Sequence, residues 1–218
     1  MTAADDLARR REQYETAGLE PADLDDDPIV QWRRWYDDAV SAELTEPNAA
    51  VVSTVDADGR PDARVVLVRG ANASGFSFYS NRGSTKGAQI GGRAPVAMTF
   101  GWLALHRQVR VRGVATRFDD AEADEYWASR PRESQIASAA SPQSSVIADR
   151  AALDALVART RAANEGRYIA RPAGWGGYRV VPDEIEFWQG RPARLHDRLR
   201  YRRNAAATTG WVVERLAP

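Results

Sequence analysis

The sequence predicts an α+β protein, an antiparallel barrel with peripheral helices, and three observations carry that reading. Short β-branched runs separated by Gly, Pro and Asp clusters recur in both halves of the chain. Helical periodicity is confined to one stretch before the first run and a block between residues 119 and 165. The strands come in runs, without strict strand–helix–strand alternation, which argues against a parallel sheet. At 218 residues and 44% hydrophobic content the chain is long enough for one globular domain with its own core.

The elements follow in order. Residues 1–27, rich in Asp, Glu and Arg with little apolar periodicity, read as a flexible N-terminal arm, and 28–218 as a single domain. Asp27-Pro28 is a helix start, with the Asp as N-cap and the Pro at the first helical position. That helix runs to about Leu44, with Ile29, Trp32, Trp35, Tyr36, Ala39 and Val40 on one stripe. AAVVSTV and ARVVLVR form a hairpin across the turn formers of DADGRPD, and GFSFYS is a third strand. Gly83-Ser84 opens a short helix; PVAMTFGWL and RQVRVRGVATRF are two more strands. The helix 119–130 has acids in its first turn and Arg130 at its end, as the helix dipole favours, and Pro131 stops it. A second helical segment (131–140), a Ser-rich loop and a third helix (148–165) precede four strands: GGYRVV, EIEFWQ, ARLHDRLRY and WVVERL.

Composition excludes several functions. Thirty basic residues balance thirty acidic ones, so the chain lacks the basic excess of a general nucleic-acid or anionic-membrane binder. It has no Cys, and its two histidines, His106 and His196, do not have zinc-site spacing, so no metal site is expected. No stretch approaches the roughly 18 apolar residues of a membrane span, and the acidic start is unlike a signal peptide, so the expected location is the cytoplasm. Of the thirty basic residues one is a lysine, Lys86.

Three constellations suit an anionic or electron-rich ligand. On a strand, Arg194, His196 and Arg198 share a face opposite Leu195 and Leu199, though a solvated outer face is the commoner use of such a pattern. Just upstream, Glu186 and Trp188 share a face. Tyr126 and Arg130, four apart at a helix end, meet Ser134 across Pro131; a phenol, a guanidinium and a hydroxyl together suit phosphate oxygens. Neighbouring strands bring Arg64 toward Tyr79, Ser80 and Lys86, with Arg69 at the far end of its strand.

IEFWQ followed after four residues by RLHDR resembles the C-terminal signature of the pyridoxamine 5'-phosphate oxidases. RVVLVR, FYSNRGSTK, RQVRVRG, YWASRPRESQI, QSS, WGGYRV and ERLAP stand in the order of that family's counterparts, from about Arg11 to Pro218. The resemblance implies a homodimeric FMN-binding split barrel that oxidises pyridoxamine or pyridoxine 5'-phosphate to pyridoxal 5'-phosphate, O2 becoming hydrogen peroxide. Carried over by motif, the FMN contacts are Arg64, Val65, Val66, Leu67, Val68, Arg69, Tyr79, Ser80, Lys86, Gln108, Gln143, Ser144, Trp188 and Arg198. The substrate contacts are Arg69, Tyr126, Arg130 and Ser134 around the phosphate, and Arg194, Leu195 and His196 by the pyridine ring, with Arg194 and His196 assigned to catalysis. Arg11 and Tyr14 resemble an Arg-x-x-Tyr lid in the arm.

The chain departs from the family at three places: Arg69 stands where Lys is usual, Thr85 where Arg is frequent, and Ala137-Ser138-Ala139-Ala140 where a Trp often follows. Two alternatives stay open: a related flavin oxidase acting on dihydrophenazine precursors, and a non-catalytic flavin- or pyridoxal-phosphate-binding protein.

Overall fold

The computed structural model describes residue 14 and residues 16–218. Among these, helix α1 (Pro28–Ser41) precedes strands β1 (Ala49–Val55), β2 (Pro61–Asn72) and β3 (Gly75–Asn81), helix α2 (Thr85–Ile90), and strands β4 (Arg93–Trp102) and β5 (Arg107–Arg117). Helices α3 (Asp120–Ser129), α4 (Arg132–Ala140) and α5 (Arg150–Ala163) follow, then strands β6 (Trp175–Gln189), β7 (Asp197–Arg203) and β8 (Trp211–Arg215). The chain divides into two compact units, one of residues 48–98 and 112–183, the other of 1–47, 99–111 and 184–218.

Six strands form a closed antiparallel barrel in the order β3-β2-β1-β4-β5-β6, closed by β3 pairing with β6. The β1–β2 register runs from Ala49 opposite Leu67 to Val55 opposite Pro61. Its turn forms because Asp56 accepts from the amides of Asp58 (2.9 Å) and Arg60 (2.8 Å) while Gly59 supplies the positive φ of 80°. Alternation along β2 buries Val66 and Val68 in the barrel and turns Val65, Leu67 and Arg69 the other way. Helices α2, α3 and α5 start on side-chain caps: Ser84 accepts from Gly87 N, Asp119 from Glu122 N and Asp149 from Ala152 N. Trp127, Ile136, Ile169 and Trp175 form a buried cluster, with Tyr79, Tyr126, Ala139 and Val157 packed against it.

In the second unit Asp27 caps α1 as expected, its carboxylate accepting from Ile29 N at 2.8 Å. The helix ends at Ser41, three residues earlier than predicted, where Glu43 takes a left-handed φ of 54°. Ile29, Trp32, Trp35 and Ala39 of its predicted stripe are buried, whereas Tyr36 is half-buried and Val40 exposed; Trp35 meets Phe187 edge-on (5.1 Å between ring centroids), and Phe187 meets Tyr201 (5.7 Å). The described part of the arm, residues 16–27, is tied to the C-terminal strands: Leu19 N donates to Asp197 Oδ2 (3.0 Å), Tyr201 Oη to Asp25 O (2.5 Å) and Arg191 to Thr16 O (2.7 Å).

The strands after residue 175 differ from the sequence reading in two places. GGYRVV and EIEFWQ are one continuous strand, Trp175–Gln189, which runs through Pro182. Gly113 accommodates it: a Cβ there would stand 2.1 Å from Val181 O. The strand predicted from Ala193 begins at Asp197; residues 192–194 form a 3-10 turn, with Ala193 and Arg194 at left-handed φ of 55° and 62°. Arg194, His196 and Arg198 therefore do not alternate along one strand, and that part of the expectation is corrected. No helix among the described residues is long and apolar enough to cross a membrane.

Candidate functional site

A cavity of about 670 Å3 opens on the unit of residues 48–98 and 112–183, lined by Leu67, Arg69, Tyr79, Ser80, Tyr126, Arg130, Ser134 and Gln143 among others. Eight residues predicted from four separate stretches of sequence thus meet in one place. Pro131 excludes Arg130 from the helical conformation, so Arg130 leaves α3 at φ −76°, ψ 144° and its side chain turns into the cavity. There its Nη1 donates to Ser138 Oγ (3.0 Å) and its guanidinium lies 4.7 Å from the Trp175 ring centroid. Tyr79 stacks on Tyr126 (3.8 Å, 14°) and on Trp175 (5.4 Å, 10°). That stack depends on Gly177, which faces Tyr79 across the β3–β6 register: a Cβ there would come within 2.1 Å of Phe118 and 2.9 Å of Tyr79.

The electrostatics favour an anion. Burial, with the like charge of Arg69 adding, pulls the Arg130 pKa down, although the nearby Tyr126 opposes it. Burial, with Glu122 nearby, pushes the Tyr79 phenol up to about 12, so it stays protonated. Beside the cavity, Lys86 Nζ donates to Ser80 Oγ (3.2 Å) and Gln143 Oε1 (3.3 Å), and Gln143 Oε1 also accepts from Ser80 Oγ (2.9 Å). Burial and then the charge of Arg64 lower the Lys86 pKa, with Asp62 opposing. Arg64 is itself engaged: it pairs with Asp62 and donates to Thr54 Oγ1 (2.6 Å), Val52 O (3.2 Å) and Gln89 Oε1 (3.2 Å).

A second cluster lies in the other unit. Tyr14, Trp188 and His196 bring their rings together, with Trp188 and His196 at 4.7 Å and Tyr14 and His196 at 5.8 Å. Trp188 stands opposite Arg198 in the β6–β7 register. Arg198 is held on buried Glu186 by two bonds, Nε to Oε1 (3.0 Å) and Nη2 to Oε2 (3.1 Å), and Arg110 reaches the same carboxylate at 3.2 Å. Burial and the charge of Arg194 lower the His196 pKa.

The remaining predicted residues fall elsewhere. Val66 and Val68 turn into the barrel core, leaving their backbone as the part able to meet a ligand, and Val65 is 62% exposed. Ser144 is exposed at a left-handed φ of 74°, Leu195 is 69% exposed, and Gln108 is half-buried on β5. Arg11 lies outside the described residues. The sequence reading missed Trp175, Ser138 and Asp62 as members of these clusters. Two of them carried a signal: Ser138 is four residues after Ser134 on the same helix, and Asp62 is two before Arg64 on the same strand. Among the described residues there is no group of three or more His, Asp or Glu side chains that could hold a metal ion.

A closed antiparallel barrel bearing a pocket of arginines, hydroxyls and stacked aromatic rings defines a split-barrel protein with a site suited to an anionic, ring-containing small molecule. Residues 36–164 match the pyridoxamine 5'-phosphate oxidase family and residues 175–218 the pyridoxine 5'-phosphate oxidase C-terminal dimerisation region. The chain belongs to the pyridoxamine 5'-phosphate oxidase family, a family of FMN-dependent oxidases. It is 49% identical over 214 residues to the pyridoxine/pyridoxamine 5'-phosphate oxidase of Burkholderia cenocepacia (strain HI2424), covering 97% of this chain and 99% of that one. It also resembles the crystal structure of PhzG from Burkholderia lata 383 in complex with tetrahydrophenazine-1-carboxylic acid: TM-score 0.83, 32% identity, 92% of this chain and 98% of that one. A pyridoxamine 5'-phosphate oxidase-related, FMN-binding protein from Nostoc punctiforme PCC 73102 shares the fold at TM-score 0.66 and 18% identity, over 93% of this chain and 100% of that one.

Proposed function

We propose that this protein oxidises pyridoxamine 5'-phosphate or pyridoxine 5'-phosphate to pyridoxal 5'-phosphate, with FMN as cofactor and O2 as electron acceptor giving hydrogen peroxide. The observation that carries this reading is the convergence of Arg69, Tyr126, Arg130 and Ser134 on one cavity. Two cations with phenolic and aliphatic hydroxyls match the oxygens of a phosphate monoester, which takes charge-assisted and neutral donors together. The residues present also fit a flavin phosphate: Lys86, partly desolvated and hydrogen-bonded to the neutral side chains of Ser80 and Gln143, supplies a cation with hydroxyl and amide groups beside it.

When bound, FMN supplies the two-electron redox chemistry. The protein's share is binding and orientation. Arg130, backed by Trp175 and held by Ser138, grips the substrate phosphate, and the fixed phosphate places the reacting carbon, which is the proximity contribution. The Tyr79–Tyr126 stack makes one wall of the cavity, with the Tyr79 phenol held protonated by burial. Arg194 and His196 serve the pyridine ring, Arg194 by holding it and His196 by hydrogen bonding. Two chains assemble through the C-terminal region to form a homodimer that binds FMN at the subunit interface, and Arg11 with Tyr14 covers the ligand.

Incubating the FMN-loaded protein with pyridoxine 5'-phosphate under air tests this: aldehyde product and peroxide in equal amounts are expected, and the absence of both refutes it. The likeness to PhzG favours a second reading, an oxidase of dihydrophenazine-type substrates. Running such a substrate in parallel separates the two, since it carries no phosphate for Arg130 to hold.

A further inference from the structure

We propose that the turn from Gly190 to His196 sets the tautomer of His196: the Arg191 backbone N–H holds Nδ1 as an acceptor, so the ring is neutral and presents Nε2–H as a hydrogen-bond donor. His196 then meets its ligand as a donor and not as a base. The part of this that concerns substrate rests on the function proposed above; the state of the ring does not.

The Arg191 amide lies 3.1 Å from His196 Nδ1 in hydrogen-bonding geometry. A backbone N–H can only donate, so Nδ1 must offer its lone pair and the proton of the neutral imidazole is left on Nε2. Adding a proton at Nδ1 would set two donors against each other at a half-buried position and leave both unsatisfied.

The turn is built to hold that contact. Pro192 opens it with a preset φ, Leu195 N closes on Pro192 O (3.2 Å), and Ala193 and Arg194 both occupy the left-handed region, at 55° and 62°. Consecutive left-handed non-glycine residues persist where the surroundings over-determine them, and such strain gathers at functional sites. The surroundings here do so. Gly190 N donates to His106 O (2.8 Å), and the Arg191 side chain is pinned to Thr16 O (2.7 Å) with Asp197 Oδ2 3.5 Å from its Nε. A Cβ at Gly190 would come within 2.6 Å of the Tyr14 ring, so Tyr14 packs directly on the turn that orients His196.

The charged neighbours leave the neutral ring favoured. Arg194 acts on His196 with a like charge. The carboxylate within reach of this turn, Asp197, is committed to Leu19 N (3.0 Å) and Arg215 Nη1 (2.6 Å) as well as to Arg191, so it does not stabilise an imidazolium. The rings packed on His196 are those of Tyr14 and Trp188, at 5.8 and 4.7 Å between centroids.

Imidazole nitrogen NMR of the FMN-loaded full chain labelled with 15N-histidine reads the ring state directly. There are two histidines, and His106→Gln assigns the signals. The expected result is a pyridine-type Nδ1 and a pyrrole-type Nε2 for His196, unchanged between about pH 6 and 8, where a free histidine would titrate. A proton on Nδ1, an averaged pair of tautomers, or an imidazolium at pH 7 overturns the proposal. A second arm compares His196→Gln, whose amide N–H falls near Nε2, with His196→Asn, whose amide falls near Nδ1. With flavin retained in both, the Gln variant is expected within about tenfold of the parent kcat/KM and the Asn variant about a hundredfold or more below it, the scale of losing one oriented donor. The reverse order overturns the proposal. If the parent protein turns over no substrate at all, the proposed function fails, and the ring-nitrogen result alone decides this inference.

Discussion

Arg130→Lys keeps a positive charge in the barrel cavity but removes the planar fork that Pro131 projects into it. In the parent, the guanidinium donates to Ser138 Oγ at 3.0 Å and lies 4.7 Å from the Trp175 ring and 5.3 Å from Trp127, so its plane is set before any ligand arrives. A lysine has a point charge and cannot hold Ser138, cover the two rings and present two donors to one phosphate together. The expected loss is at least one charge-assisted hydrogen bond, about 1.5–3 kcal/mol. At ~1.4 kcal/mol per factor of ten, that raises KM for the phosphorylated substrate by roughly 10- to 150-fold. Stability should change little: the cation–ring contact is worth about 0.5–1 kcal/mol and shifts Tm by ~1–4 °C in a chain of this size. The assay is steady-state oxidation of pyridoxine 5'-phosphate at constant flavin content, with unphosphorylated pyridoxine as the control. A KM within threefold of the parent, a fall in kcat with KM unchanged, or an equal effect on the unphosphorylated alcohol would refute the assignment of this cavity to the phosphate.

Asp62→Asn frees Arg64 from its counter-ion next to Lys86, so FMN is expected to bind a few-fold tighter at low salt, while riboflavin, which lacks the phosphate, is unaffected; flavin fluorescence quenching measures both. Glu186→Gln leaves the partly exposed Arg198 and Arg110 without their shared buried carboxylate, and urea unfolding should show a loss of about 1.5–3 kcal/mol, whereas Glu184→Gln on the more exposed Arg200 pair should cost under about 1 kcal/mol. Tyr79 has a folded-state pKa of about 12 against 10.0 unfolded, so the unfolded chain loses that proton first. Its contribution to stability is complete below pH 10 and is lost as pH rises toward 12, and Tyr79→Phe should flatten that part of the stability profile.

Local chemistry made much of this protein legible before any fold was known. Asp27-Pro28 and Pro131 mark helix ends through rules that act within one turn, and that cap and that stop are where the sequence reading placed them, while Asp119, read as the first residue of its helix, is its N-cap. The Asp-Gly turn between β1 and β2 follows from the side chain of Asp56 and the freedom of Gly59. The Tyr126, Arg130 and Ser134 cluster was legible for the same reason, since a helical turn and a proline corner bring those side chains together without help from distant residues. The turn before β7 was not. Alternation along a uniform strand put Arg194, His196 and Arg198 on one face, and that uniformity fails where His106, Thr16 and Asp197 pin the turn from elsewhere in the chain.

The amino-acid order therefore settled the helix cap at Asp27, the stop at Pro131, the Asp-Gly turn between β1 and β2, the neutral charge balance and the single lysine, because each depends on residues within a few positions or on counting. Tertiary contacts assigned the partners: Lys86 to Gln143, 57 positions away, Trp175 beneath Arg130, Arg198 to the buried Glu186, and the Arg191 amide to one nitrogen of His196. Those pairings set which cation is neutralised by a carboxylate, as Arg198 is by Glu186, and which is held by neutral groups, as Lys86 is by Ser80 and Gln143. Desolvation and charge compensation depend on what surrounds a group in space, and barrel closure draws that surrounding from across the chain.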